Sequence, residues 1–203
     1  MPSKIENDDF GSTEVKVREM YPGQIKIDKA RIIATAAHAA CGHRRKHSGI
    51  AYINHPADVV RILETEATGV TTRMIMAAWM HDVVEDTKIT TDFINEHFDV
   101  AVARMVHGLT NERPEGFNRA QRHDHNVVRL SKTARDVKTI KLADCIANMR
   151  DIIREDPNFA PTYLAEKRDL LDRALVGGCP VLWDIADNII TNYQGEKNGT
   201  DSN

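Results

Sequence analysis

The chain has 203 residues, of which 28% are charged and 5% aromatic, and a formal net charge of −3. That length suits one domain with a sizeable core, and the near-balanced charge leaves no global field to draw in nucleic acid or an anionic membrane. Few aromatics, with Ala, Ile, Val, Leu and Met carrying the apolar content, favour an all-α, single-domain helical bundle.

Residues 1–24 read as a polar leader with a short helix from Thr13 to Met20, closed by Tyr21-Pro22-Gly23. A long helix is expected from about Ile27 to Arg45, with Ala30, Ile33, Ala34, Ala37 and Cys41 on one face and His38 beside them as a core or boundary histidine. It ends in His43-Arg44-Arg45-Lys46-His47-Ser48-Gly49. Three successive cations there suit a solvated helix C-terminus, a grip on phosphate or a base, or a nucleic-acid patch. The absence of other basic clusters with interleaved aromatics weighs against the last.

Pro56 suits the first turn of the next helix, with Asn54 or His55 near its cap and Val59, Ile62 and Leu63 inward. Thr68-Gly69-Val70-Thr71 breaks the chain before the central stretch Trp79-Met80-His81-Asp82-Val83-Val84-Glu85-Asp86-Thr87. In a continuous helix His81 sits over Glu85 and Asp82 over Asp86. Three carboxylates packed that closely repel one another unless a cation or strong donors sit among them, and a divalent metal supplies such a cation. The plain alternative is a polar helix end before a loop.

Helices are expected over about Thr91–His97 and Val100–Gly108, and residues 111–125 read as a polar loop, the start of a helix and a flap over a site. The helix from about Ala134 to Glu155 is apolar nearly all round, yet Lys141, Asp144 and Asn148 share one stripe. A carboxylate in such a helix is either ion-paired or a metal ligand in a pocket wall. Helices over about Pro161–Val176 and Pro180–Tyr193, separated by Gly177-Gly178, close a domain spanning 25–193, and 194–203 reads as a disordered tail. Cys41, Cys145 and Cys179 form no Cys-x-x-Cys pair, as expected of a reduced, cytoplasmic chain. The N-terminus lacks a signal-peptide core, and no run reaches the length of a membrane span.

His55, the His81-Asp82 pair and Asp144 together resemble the HD superfamily of metal-dependent phosphohydrolases. Four segments narrow the resemblance to the hydrolase domain of the RelA/SpoT-homologue family, and to its free-standing metazoan-type alarmone hydrolases. They are Arg44-Arg45-Lys46 with Ser48-Gly49; Tyr52-Ile53-Asn54-His55-Pro56; His81-Asp82-Val83-Val84-Glu85-Asp86-Thr87; and Lys141-Leu142-Ala143-Asp144 with Asn148-Met149-Arg150. The resemblance covers about residues 28–155. It implies an HD-type helical bundle that cleaves the 3′-pyrophosphate from (p)ppGpp, with one Mn²⁺ held by His55, His81, Asp82 and Asp144. It further implies that Glu85, with Asp86 second, handles the attacking water, and that Arg45, Lys46 and Asn148 face the nucleotide. Arg44, Ser48 and Lys141 join them as expected substrate contacts.

The sequence departs from the family in the loop before Tyr52, where Ile50-Ala51 replaces Glu-Pro, and at Cys145 and Ala147. These positions bear on the nucleotide pocket rather than the metal, so (p)ppApp or NADPH stand as alternative substrates. A non-catalytic nucleotide-sensing module is the alternative outside enzymes; the presence of all four ligand types and the acidic pair argues against it. Nucleic acid and membrane are not expected partners.

Overall fold

The computed structural model describes residues 22–46 and 48–200, with the backbone alone over 195–200. The expected leader and the helix from Thr13 to Met20 lie outside the described residues. Among the described residues there is no β-strand, only an isolated antiparallel bridge between Arg44 and Ala51.

The chain folds as α1 (Pro22–Ala40), α2 (Asn54–Glu66), α3 (Thr72–Met80), the single turn α4 (Val83–Asp86), α5 (Thr91–His97), α6 (Val100–Leu109), α7 (Arg119–Ser131), α8 (Arg135–Glu155), α9 (Ala160–Leu170), one π-helical turn (Leu171–Leu175) and α10 (Pro180–Thr200). The bundle is built around α3 and α8. Every residue of α3 from Met74 to Met80 is buried, and α8 buries residues on all sides, among them Ile140, Leu142, Ile146 and Met149. A helix apolar all round must lie inside the bundle. Accordingly α1, α2 and α6 pack on α3, while α2, α6, α9 and α10 pack on α8. Each fully buried Leu, Ile or Met contributes roughly 1.5–3 kcal/mol from removal of apolar surface from water.

Three boundaries differ from those read from the periodicity. The first helix begins at Pro22 rather than near Ile27, because proline suits a first turn whose N–H has no partner. It stops at Ala40, before the basic run. Gly42 adopts φ +63°, and two bonds close a Schellman cap: Gly42 N–H to the Ala39 carbonyl (2.9 Å) and His43 N–H to the His38 carbonyl (3.0 Å). The cations 44–46 therefore lie in a loop, not at a helix end. The last helix runs on past Tyr193 to Thr200, instead of giving way to a tail at 194. Gln194, Glu196 and Lys197 are good helix formers and no proline interrupts them.

The stretch around His81 is not one continuous helix. The α3 ladder ends at Met80, His81 and Asp82 form a turn, and α4 adds a single turn to Asp86. Residues 110–118 form the loop before α7, which starts with a capping box between Asn118 and Gln121.

A candidate metal centre and the cavity beside it

Two helices and a turn deliver four side chains to one point. His55 comes from the first turn of α2, His81 and Asp82 from the turn after α3, and Asp144 from the middle of α8. His55, His81 and Asp144 are buried, with ligand atoms all within 4.8 Å of one another. His55 Nε2 lies 3.0 Å from Asp144 Oδ1 and 3.2 Å from His81 Nε2. Asp82 Oδ2 completes the group, 2.9 Å from His81 Nε2 and 3.7 Å from His55 Nε2.

The surroundings fix how these groups present themselves. His81 Nδ1 sits 2.8 Å from the Ala78 carbonyl, so it carries the proton and leaves Nε2 directed at the cluster. Tyr52 donates its hydroxyl to Asp82 Oδ2 at 2.5 Å. Asp144 accepts from Asn148 Nδ2 at 2.6 Å and from Lys141 Nζ at 2.8 Å. Burial opposes ionisation of Asp144, but Lys141, His55 and His81 together outweigh it and hold the carboxyl well below the usual range. Asp82 is likewise held down, His81 outweighing its burial. Burial also opposes charge on His81, yet Asp82 and Asp144 lift the imidazole to about 9. Two adjacent carboxylates without a bound cation thus hold a proton on the histidine, where a divalent ion would replace it.

The donor set passes a chemical test for such an ion. Two imidazole nitrogens and two carboxylate oxygens suit Mn²⁺, Fe²⁺, Zn²⁺ or Mg²⁺, the carboxylate charge balances a dication, and His81, Asp82 and Asp144 are each held by a further partner.

The expected acidic pair diverges. Glu85 turns to the 110–118 loop: its Oε2 accepts from Asn111 N (3.1 Å) and Asn111 Nδ2 (3.2 Å), and its Oε1 from Arg113 Nη2 (2.8 Å). Asp86 faces the other way, 3.7 Å from His43 Nδ1. Burial, then the Asp82 charge, push the Asp86 pKa up.

Beside Glu85 opens a cavity of 460 Å³, bounded by the 110–118 loop, α7, α8 and α9, within the range of small-molecule sites. Arg113, Arg119, Arg122, Arg129, Lys141 and Lys167 supply its cations, against the carboxylates of Glu85 and Glu112. An excess of positive charge in a partly enclosed space attracts polyanions.

The expected substrate contacts divide between two places. Lys141 lines the cavity and also pairs with Asp144. Asn148 lies one turn beyond Asp144 and donates to it. Arg45 does not face the cavity. Its guanidinium bonds Asp151 Oδ2 through Nε (3.2 Å) and Nη2 (2.5 Å), and Asn148 Oδ1 through Nη2 (3.1 Å). Arg45 is thus a strut from the 43–52 loop to α8. Arg44 donates to the Gly49 carbonyl at 3.0 Å, Lys46 is exposed, and Ser48 Oγ is buried without a partner.

Several neighbours have no site role in the residue pattern, although His38 is buried as expected of a core histidine. His43 stacks on Tyr52 with ring centroids 3.9 Å apart. His38 is buried with Nδ1 3.3 Å from His43 Nδ1, and burial lowers its pKa to about 4, so it is neutral. Asp151, Asn111 and Arg113 act through residues distant in sequence, which periodicity cannot reveal.

Comparison with known proteins agrees with this geometry. A family model described as "HD domain" matches residues 30–170. The guanosine-3′,5′-bis(diphosphate) 3′-pyrophosphohydrolase MESH1 of Danio rerio is 36% identical over 132 residues, covering 63% of this chain and 72% of that protein. The Homo sapiens protein of the same name is 36% identical over 135 residues, covering 64% of this chain and 74% of its own. A solved structure of a metazoan orthologue of SpoT that hydrolyses ppGpp superposes with a TM-score of 0.74 at 27% identity, covering 82% of this chain and 94% of that one. The chain belongs to the HD-domain family, in the branch that holds the metazoan SpoT-like hydrolases.

Proposed function

We propose that this chain is a divalent-metal-dependent hydrolase that removes the 3′-pyrophosphate from (p)ppGpp, releasing GDP or GTP and pyrophosphate. One observation carries the reading. In a member of this family, the buried His55, His81 and Asp144, with Asp82 beside them, are joined through Lys141 to a cavity rich in Arg and Lys. His55, His81, Asp82 and Asp144 hold the ion, which we take as Mn²⁺ on the family resemblance. When bound it lowers the pKa of a coordinated water and polarises the phosphoryl oxygens.

The chain's own residues supply the rest. Glu85 takes the proton from the attacking water, because it borders the cavity whereas Asp86 faces His43. The water oxygen bonds to the phosphorus attached to O3′ as the P–O3′ bond breaks. The 3′-oxygen takes a proton from solvent, and the proton held by Glu85 returns to solvent. Lys141 and the cavity arginines offset charge on the phosphates. The family resemblance assigns Arg44, Lys46 and Ser48 to the nucleoside, and Arg45 holds Asn148, which orients Asp144. The substrate is a small nucleotide. No helix among the described residues is long and apolar enough to cross a membrane, and three unpaired cysteines suit the reducing cytoplasm.

The test is pyrophosphate release from ppGpp by the purified protein with Mn²⁺, then with chelator. Metal-dependent turnover at enzymatic rates is the expected result. No release from a folded, metal-loaded protein overturns the alarmone assignment. Parallel assays with ppApp and NADPH then identify the nucleotide.

A further inference from the structure

Arg113 stands between an anion already present and a cavity built for another. Its guanidinium pairs with Glu85 Oε1 at 2.8 Å, yet its side chain is 70% exposed where it borders the cavity. Glu85 is its one ion-pair partner among the described residues. The other oxygen of Glu85 is held separately by the backbone and side-chain amides of Asn111. Releasing Arg113 therefore uncovers Oε1 without losing the orientation of the carboxylate.

The loop that carries Arg113 is fixed. Glu112 N–H donates to Asn126 Oδ1 at 2.8 Å, Asn126 Nδ2 donates to the Glu112 carbonyl at 2.9 Å, and Arg129 donates to the Thr110 carbonyl. What is free to move is the arginine side chain, not its backbone. Of the other cavity cations, Arg119 is neutralised by two bonds to Glu166 (2.9 and 3.0 Å). Arg122 and Lys167 make no ion pair among the described residues: Arg122 donates to the Phe117 carbonyl and Lys167 lies over the Tyr163 ring. The cavity thus holds charge to which a second phosphate group can be drawn, away from the metal cluster.

We infer that Arg113 is a specificity latch: it caps Glu85 while the cavity is empty, and a phosphate group on the 5′ side of the substrate draws it away and frees Glu85 Oε1 for the water proton. An exposed single ion pair is weak, whereas a guanidinium on phosphate makes paired, charge-assisted bonds, so the exchange runs toward phosphate. The guanidinium occupies the Oε1 lone pair that would take the water proton, so a substrate lacking the second phosphate group leaves the base capped. Arg113 is accordingly a positioning residue for Glu85 that also sets substrate choice. The inference rests on Glu85 being the water-handling residue.

The experiment compares Arg113→Met and Arg113→Lys with the unaltered protein, all loaded with Mn²⁺. The two substrates are ppGpp and guanosine 3′-diphosphate with a free 5′-hydroxyl. For Arg113→Met, kcat/KM on ppGpp falls about tenfold or more, as expected for a lost charge-assisted bond, while kcat on the 5′-hydroxyl substrate rises because Glu85 is uncapped. Arg113→Lys recovers part of the ppGpp activity. Equal losses on both substrates, equal gains, or no change on either overturns the latch. Turnover of neither substrate by the unaltered protein overturns the reading of Glu85 and the alarmone assignment instead, and metal content measured alongside shows that each variant is folded and loaded.

Discussion

Lys141→Met removes the cation that compensates Asp144, and the structure sets the size of the effect. Lys141 and Asp144 lie 2.8 Å apart with side chains 12% and 6% exposed. Breaking such a pair by deleting one partner costs about 3–5 kcal/mol, because a buried charge is left behind. Asn148 and His55 still reach the carboxylate at 2.6 and 3.0 Å, which favours the lower end, about 3 kcal/mol. At about 2–4 °C per kcal/mol for a chain of this size, the metal-free variant should melt about 6–12 °C below the unaltered protein. A dication bound to Asp144 supplies the missing positive charge, so with Mn²⁺ the deficit should shrink to less than half. Lys141 also holds the Asp144 pKa below its ordinary value, so this carboxylate's contribution is present above the usual carboxylate range and is lost as pH falls. In the variant the folded pKa lies nearer the unfolded one, so that acid loss should be smaller and should end at a higher pH. Circular dichroism melts with chelator and with Mn²⁺ measure both effects. Equal deficits in the two conditions would falsify the claim that Lys141 and the metal neutralise the same carboxylate.

Glu85→Gln should retain metal and substrate binding but lose about 10²–10⁴-fold in kcat, the usual scale for a general base; single-turnover kinetics at normal rates would remove Glu85 from the proton transfer. The metal-free protein should lose stability as pH rises. His81 is raised to about 9, so its contribution is complete below about 6.5 and disappears through about 9. Metal loading should flatten that slope, since the imidazole is then a neutral ligand, and a flat profile in chelator would contradict the assignment. Gly178→Ala should destabilise by about 1–3 kcal/mol through overpacking, because a Cβ there would stand 2.7 Å from Leu142 Cδ1 and 3.3 Å from the Leu175 carbonyl. An unchanged denaturant midpoint would show that Leu142 can yield.

The helical class was legible because it depends on local rules, whereas the grouping of His55, His81, Asp82 and Asp144 rested on the family resemblance. Ile140, Leu142, Ile146 and Met149 around α8 require burial, and Asp144 among them requires a partner, whatever the rest of the chain does. The His81-Asp82 pair was legible as chemistry but not as shape. Glu85 and Asp86 are successive residues of α4, about 100° apart around its axis, so Glu85 borders the cavity while Asp86 faces His43. The basic run was misplaced because Gly42 lies one residue beyond Cys41, inside an apparently unbroken apolar stripe, and its left-handed conformation ends the helix there. Arg45 was legible as a cation but not as a strut, since Asp151 lies 106 residues away in sequence. Residues 111–125 carried the right polarity for a site wall, yet hydrogen bonds to Asn126 and Glu85 pin the segment that was expected to be a flap.

The loop that follows the Schellman cap is tied shut at its neck. His43 accepts from Tyr52 N–H at 3.3 Å, and Arg45 N–H donates to the Ile50 carbonyl at 2.9 Å, so the chain leaves and re-enters the bundle at nearly the same place. The connection on one side is the capped end of α1; on the other it is the run from Tyr52 to His55 that starts α2. Residues 46–49 can therefore be lengthened, shortened or exchanged as a cassette, while His55 keeps its position against His81 and Asp144. For an enzyme lineage, this separates change in the loop from the upkeep of the His55, His81 and Asp144 cluster. For an engineer, it marks the place to graft new recognition onto an old hydrolase.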